Sequence, residues 1–261
     1  MTELSYIERN RGFITYSKLK AFRFCQQLYK QKYMDEIVLE EEDNDALIFG
    51  QAFDTLVQGE DKFAEKFVAV AKRTDKAREE NPGKVLITPA QLDTLNRCYD
   101  ESKRQPLYRP DGDKQVEIII PYKGFQLKAT MDKLFLKEKE IRDVKTAASI
   151  QGLGKIFQDR STLQSYIDQL TFYQFCVQMK HDVLCDGVLE VFTKETPVRS
   201  QMFKASAQTL LDNRGVLLGE IDKMIETINF GIFESSERSK CLECEAYGVC
   251  PFTIQQEFIQ L

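Results

Sequence analysis

Between Gln126 and Lys145 the chain reads QLKATMDKLFLKEKEIRDVK, two short strand-like runs joined by the charged turn KEKE. In a strand, residues i and i+2 share a face, so Asp143 and Lys145 project together. Folding the pair into a hairpin then brings Asp132 beside them. Two carboxylates and an ammonium would converge on one spot. Hard divalent cations such as Mg²⁺ take oxygen ligands, and a metal held there can stabilise phosphoryl charge and generate a nucleophilic hydroxide. Lys145 could orient that water. Asp-x-Lys in a strand is also an ordinary solvated face, since charged residues mostly lie exposed. What the rest of the chain carries must decide between the two.

At 261 residues the chain can hold one large domain or two small ones and can bury a sizeable core. With 43% hydrophobic and 30% charged residues it reads as globular and soluble. No run approaches the roughly 18 apolar residues of a membrane helix, and MTELSYIERN lacks the basic start and apolar segment of a signal peptide. A cytoplasmic location is the expectation. A net charge of −5 argues against coating nucleic acid non-specifically but leaves room for a local basic groove. Seven cysteines, an odd number in an apparently cytosolic chain, favour metal binding over a disulfide framework.

Residues 13–36 carry a helical apolar stripe through Leu19, Phe22 and Leu28, with Thr15 and Ser17 as candidate caps and Cys25 inside the helix. EEEDND follows as a solvated loop, and ALIFGQAFDTLVQG (46–59) as a short amphipathic helix bearing Asp54. The charged segment 70–86, ending in Asn-Pro-Gly, is a lid or a plain linker. TPAQ (88–91) has the Thr, Pro and Gln of a capped helix start, and the helix should run to about Lys103. From Lys114 strands are expected: KQVEIIIPY, a Lys-Gly turn, GFQLKATMDKLFL and EIRDVKTA. A long helix over 162–180, strands in DVLCDGVLEVFTK and PVRSQMFKA, and a helix from 207 to about 229 capped by Ser206 complete a mixed α/β core with a helical cap. The divisions are a helical region over 1–110, a sheet core over 111–205 and a terminal helix with a cysteine-rich tail over 206–261, all within one domain.

Cys241, Cys244 and Cys250 form C-x₂-C-x₅-C, whose first pair can grip one metal. A fourth ligand is needed. All-thiolate ligation suits tetrahedral Zn²⁺ or an iron–sulfur cluster, and spacing alone leaves both open. Gln169 and Tyr173, four apart, share a helix face, with Tyr166 a further turn back. They could touch a nucleic-acid backbone or brace Lys145. GLGK at 152–155 lacks P-loop spacing, which argues against an ATP-driven motor. The single histidine, His181, sits at a helix end, so a His-based hydrolase site is not expected, and no serine lies in G-x-S-x-G.

In order, these pieces resemble the RecB-like branch of the PD-(D/E)XK nuclease superfamily. TYSKLKAFRFCQQLYKQKY (15–33) is similar to its N-terminal S-x-L-x-x-F-x-x-C-x-x-x-Y signature, GQAFD (50–54) to its first motif, and KATMD (128–132) to the motif of the first acidic ligand. DVK (143–145) resembles the D-x-K core, and QLTFY (169–173) the Q-x-x-x-Y motif. Asp54 stands where His commonly ends the first motif. The resemblance implies a restriction-endonuclease-like core, a mixed central sheet flanked by helices, and a metal-dependent DNA exonuclease. Asp132, Asp143 and Lys145 would be catalytic, and Asp54, Asp132, Asp143 and the Val144 carbonyl would hold Mg²⁺ or Mn²⁺. Gln169 and Tyr173 would hold the DNA strand, and Glu117 would lend support from the preceding strand. Cys25 with Cys241, Cys244 and Cys250 resembles the 4Fe–4S clasp of the exonucleases of CRISPR adaptation and of AddB, with Zn²⁺ as the alternative. The middle of the chain is similar to phage RecE-type recombination exonucleases. DNA is then the substrate and a recombination or DNA-processing protein a partner, with no ATP and no membrane. A non-catalytic DNA-binding or structural subunit on the same fold is the competing expectation.

Overall fold

The computed structural model describes residues 12–35, 44–104, 113–234 and 244. The EEEDND loop and most of the cysteine-rich tail lie outside them. Two compact units make up the described chain. The larger takes residues 44–104, 113–118 and 130–214, and the smaller takes 12–35, 119–129, 215–234 and 244.

In the larger unit, strands β5 (Phe125–Phe135), β6 (Glu140–Ala147), β7 (Asp186–Thr193) and β8 (Ser200–Ala205) lie side by side in that order. β5 and β6 are antiparallel, β6 and β7 parallel, β7 and β8 antiparallel, so the sheet is mixed as expected. Lys139, at φ 56°, closes the KEKE turn, its N–H donating to the Leu136 carbonyl at 3.3 Å.

Helix α3 (Asp45–Gln58) buries Phe49, Ala52, Phe53 and Leu56 at helical spacing. That stripe packs with Val144 and Phe192 from the sheet and with Leu95 and Cys98 of α6 (Pro89–Arg104). The Phe53 and Phe192 rings meet edge to face at 5.5 Å, and burying each side chain contributes about 1.5–3 kcal/mol. On α6 the Thr88 hydroxyl accepts the Gln91 N–H at 3.2 Å, and the Gln91 carbonyl oxygen accepts the Thr88 N–H at 2.9 Å, the reciprocal cap read from TPAQ.

Helices α7 (Ile150–Gln158) and α8 (Arg160–His181) pack with Ala147, Leu189 and Val191. Every residue of α8 from Leu170 to Val177 is buried, so this helix is wrapped on all sides. Gln174 within it is fully buried, and its amide donates to the carbonyls of Cys185 (2.7 Å) and Ala207 (3.1 Å). At Gly187 on β7, an added Cβ would stand 3.0 Å from Leu170 of α8 and 3.1 Å from Leu210. Only a glycine lets the helices sit that close.

The segment expected to be a lid or linker is instead organised. After α4 (Glu60–Lys66), strands β2 (Phe67–Ala69) and β3 (Val85–Ile87) pair in parallel as a second small sheet, and α5 (Asp75–Glu80) lies between them in sequence, capped by Thr74. Apolar side chains on both strands, Phe67 and Ile87 above all, join the α3 core, and this anchors a stretch whose charge suggested solvation.

In the smaller unit the helix expected over 13–36 is two: α1 (Tyr16–Phe24) and α2 (Gln26–Tyr33), broken where Cys25 turns extended at φ −160°. Thr15 caps α1, accepting the Lys18 N–H at 3.3 Å. Strand β1 (Phe13–Ile14) pairs in parallel with Gln126 and Leu127 of β5. β4 (Asp113–Tyr122) joins β5 through Lys123 and Gly124, both at positive φ, as a tight hairpin requires. Helix α9 (Ala207–Phe230), whose Thr209 N–H is capped by Ser206 at 3.1 Å, contributes Asp222, which accepts from Tyr122 at 3.0 Å.

Candidate active site

The β5–β6 ladder pairs Lys133 with Arg142. One residue past that pair on each strand stand Asp132 and Asp143, whose carboxyl groups interact electrostatically. Asp132 is half-buried with both oxygens engaged: Oδ2 accepts the Val144 main-chain N–H at 2.8 Å and Oδ1 accepts the Gln115 side-chain amide at 3.0 Å. Asp143 is 3% exposed. Its Oδ1 accepts from Gln169 Nε2 at 3.2 Å, and Gln169 also donates to the Tyr173 hydroxyl at 2.6 Å. Asp143 Oδ2 is ion-paired with Lys145 Nζ at 2.7 Å, yet no donor among the described residues meets it in hydrogen-bonding geometry.

Electrostatics bind Asp54, on α3, into the same group. Burial pushes its carboxyl well above the ordinary range, and the carboxylates of Asp132 and Asp143 add to the shift against the pull of Lys145. Burial likewise raises Asp143 to about 6, with Asp132 adding to it and Lys145 opposing. For Lys145, burial alone would lower the pKa, but Asp143, Asp132, Tyr173 and Asp54 outweigh it and hold the ammonium charged. Tyr173 is buried, and burial and Asp143 keep its phenol protonated. Among the described residues these three acids act on one cation, Lys145, and such an excess of negative charge is what a bound cation would relieve.

Among the described residues no three His, Cys, Asp or Glu side chains stand ready to enclose a metal ion. Mg²⁺ does not require such a cage, because it keeps several waters and is commonly held by one or two carboxylates with the substrate's phosphate. The Asp132–Asp143 pair fits that kind of ion.

Asp54, Asp132, Asp143, Lys145, Gln169 and Tyr173 are therefore brought together, with the Val144 backbone between Asp143 and Lys145. Tyr173 faces inward and touches Gln169, and Tyr166 packs with Ala147, Leu189 and Val191. Glu117 is exposed; the residue of β4 that reaches Asp132 is Gln115, two positions earlier. No periodicity in the sequence marks Gln115. A second unforeseen group lies nearby: Arg142 binds Glu140 at 2.6 Å and Glu190, and Lys133 stands 3.5 Å from Glu190. A lone Glu inside the apolar run GVLEVF was the available sign, since a buried charge needs a partner.

Of the four proposed cluster cysteines, Cys25 is buried and Cys244 half-buried, and both join one apolar cluster with Phe24 and Leu28. Cys241 and Cys250 lie outside the described residues. No helix among the described residues is long and apolar enough to cross a membrane.

No curated protein matches the sequence. Among solved structures, one described as a "putative exonuclease" from Eubacterium rectale is 17% identical, with a TM-score of 0.67 over 98% of this chain and 94% of that one. An alkaline exonuclease from Laribacter hongkongensis is 13% identical, with a TM-score of 0.41 over 85% of this chain and 94% of its own. At such identity the first of these speaks to the fold alone. The family described as a PDDEXK-like domain of unknown function (DUF3799) matches residues 15–248, nearly the whole chain, and the chain belongs to that family.

Proposed function

We propose that the chain is a divalent-metal-dependent nuclease that hydrolyses phosphodiester bonds in DNA, acting as an exonuclease in recombination, repair or a related DNA-processing pathway. The observation that carries this reading is the Asp132–Asp143–Lys145 cluster, with Asp54 beside it and its negative charge in excess. Asp132 and Asp143, with Asp54 and the Val144 carbonyl, would hold Mg²⁺ or Mn²⁺. A divalent cation there supplies Lewis-acid polarisation of the phosphate and a more acidic water. Lys145, kept protonated by its acidic neighbours, orients the attacking water and steadies charge on the phosphate. Gln169 aims Asp143, and Tyr173 holds Gln169. The description of the Eubacterium rectale neighbour as an exonuclease is consistent with this chemistry.

Cys25 and Cys244 within one cluster support the same reading's cysteine clasp, a 4Fe–4S centre completed by Cys241 and Cys250. Protein purified without air should be brown and contain iron; a colourless, zinc-loaded protein would assign the clasp to Zn²⁺.

The activity test is end-labelled DNA incubated with Mg²⁺ or Mn²⁺, comparing wild type with Lys145→Ala. Shortening by wild type, abolished by EDTA and by the substitution, is the expected result. Binding without cleavage would make the chain a non-catalytic DNA-binding subunit.

A further inference from the structure

β4 opens with two residues whose side chains reach the two elements that carry acids. Lys114 Nζ donates to the Val57 carbonyl at 2.9 Å and the Gln58 carbonyl at 3.5 Å, closing the last turn of the Asp54-bearing helix α3. Gln115, next in sequence, donates its amide to Asp132 Oδ1 at 3.0 Å. The Gln115 backbone is left-handed, at φ 50°, inside a strand. Gly, Asn or Asp adopts that conformation at least cost. Glutamine has no local turn chemistry to recommend it there.

What glutamine does supply is reach without charge. With Val144 N–H on Oδ2 and Gln115 on Oδ1, each Asp132 oxygen is held by a donor, which fixes the carboxylate in rotation. A lysine or arginine at position 115 would orient Asp132 but compete with a bound cation. An amide orients it and leaves its full charge. Strained backbone retained around a single side-chain contact is the signature of a functional constraint.

We propose that Gln115 is a positioning residue that fixes Asp132 for a divalent cation, at the expense of local stability. This rests on the nuclease reading of the same site. The decisive variant is Gln115→Gly, which relieves the backbone and deletes the amide together. In metal-free buffer its melting temperature should equal or exceed that of wild type. Its affinity for Mn²⁺, measured by calorimetry, should fall about 10–100-fold, the usual loss when a group orienting a metal ligand is removed. The Mg²⁺ concentration giving half-maximal DNA cleavage should rise by a similar factor, with a smaller change in the rate at saturating Mg²⁺. Gln115→Asn keeps a residue tolerant of the left-handed backbone but shortens the amide by one methylene, and should follow Gln115→Gly in Mn²⁺ affinity. Wild-type Mn²⁺ affinity in Gln115→Gly would overturn the proposal, as would a loss of affinity that merely tracks a fall in melting temperature. If wild type itself neither binds Mn²⁺ nor cuts DNA, the nuclease reading falls and takes this one with it. If wild type does both and Gln115→Gly matches it, only the role of Gln115 falls.

Discussion

Strand β6 carries buried charge at neighbouring positions, and the two groups are settled in opposite ways. Arg142 and Lys133 face Glu190 and Glu140, two cations against two anions, joined by ion pairs that bury both Arg142 and Glu190. Next to Arg142 in sequence, Asp143 interacts with Asp132, Asp54 and, as the cation among the described residues, Lys145, and both Asp54 and Asp143 are pushed to hold protons at unusually high pH. The first group is balanced by its own ion pairs; the second is not, and on the proposed reading that imbalance is what a divalent cation would meet.

The largest effect should come from the unbalanced group. Asp143→Asn or Lys145→Ala is expected to lower Mg²⁺-dependent DNA cleavage at least about 10³-fold, a loss typical of removing a group that stabilises charge in the reaction. Circular dichroism should show the fold retained. Cleavage at the wild-type rate by both variants would erase the contrast.

Glu190→Gln tests the other side. It removes the buried carboxylate that Arg142 and Lys133 share and should cost about 3–5 kcal/mol of stability, read as a lower urea midpoint. Whatever remains folded should bind Mn²⁺ as wild type does. A variant of unchanged stability would mean that the balanced group is not structural.

The pH dependence of stability sharpens the difference. The Asp143 carboxyl is raised from 3.8 to about 6 in the folded protein, which therefore binds its proton more tightly than the unfolded chain does. Stability of the metal-free protein should fall as pH rises from about 4 to about 6, by up to roughly 3 kcal/mol. Asp143→Asn should flatten that slope, and Mg²⁺ should restore stability at the upper end, where the ionised carboxylate is available to it. Urea titrations in EDTA at several pH values provide the measurement.

The smallest effect is expected at the rim. Lys204 is 56% exposed and pairs with Asp186 at 2.8 Å while standing 3.9 Å from Glu140, so Lys204→Met should change stability by no more than about 1 kcal/mol. A larger loss that disappears in a Glu140→Gln background would extend the balanced group to the surface.

The hairpin that brings Asp132 to Asp143 and Lys145 was legible because its signals are local: alternation, a charged turn, a two-residue spacing. The Thr88–Gln91 and Ser206 caps were legible for the same reason. Other features depend on partners distant in sequence. Nothing near Cys25 announces a break, since no Gly or Pro stands there, yet the chain turns extended. Helix α7 was hidden by the two glycines of GLGK, and β2 and β3, three residues each, show no period until they pair. Gln115 needed the third dimension outright, and for Glu190 the sequence offered a buried charge but not its partners. One reaches its partner through a left-handed backbone, the other through a sheet register that sets it against Arg142.

Gly187 ties these regions to a place no substrate would touch. Its missing methyl lets Leu170 settle onto β7, and Leu170 directly follows Gln169, the residue that aims Asp143. A single carbon added at Gly187 would lift that helix by a few tenths of an ångström and slacken the Gln169 contact while the reacting groups keep their identities. Screens for inactive variants should therefore recover lesions at this glycine, far from any phosphate and easily mistaken for simple misfolding.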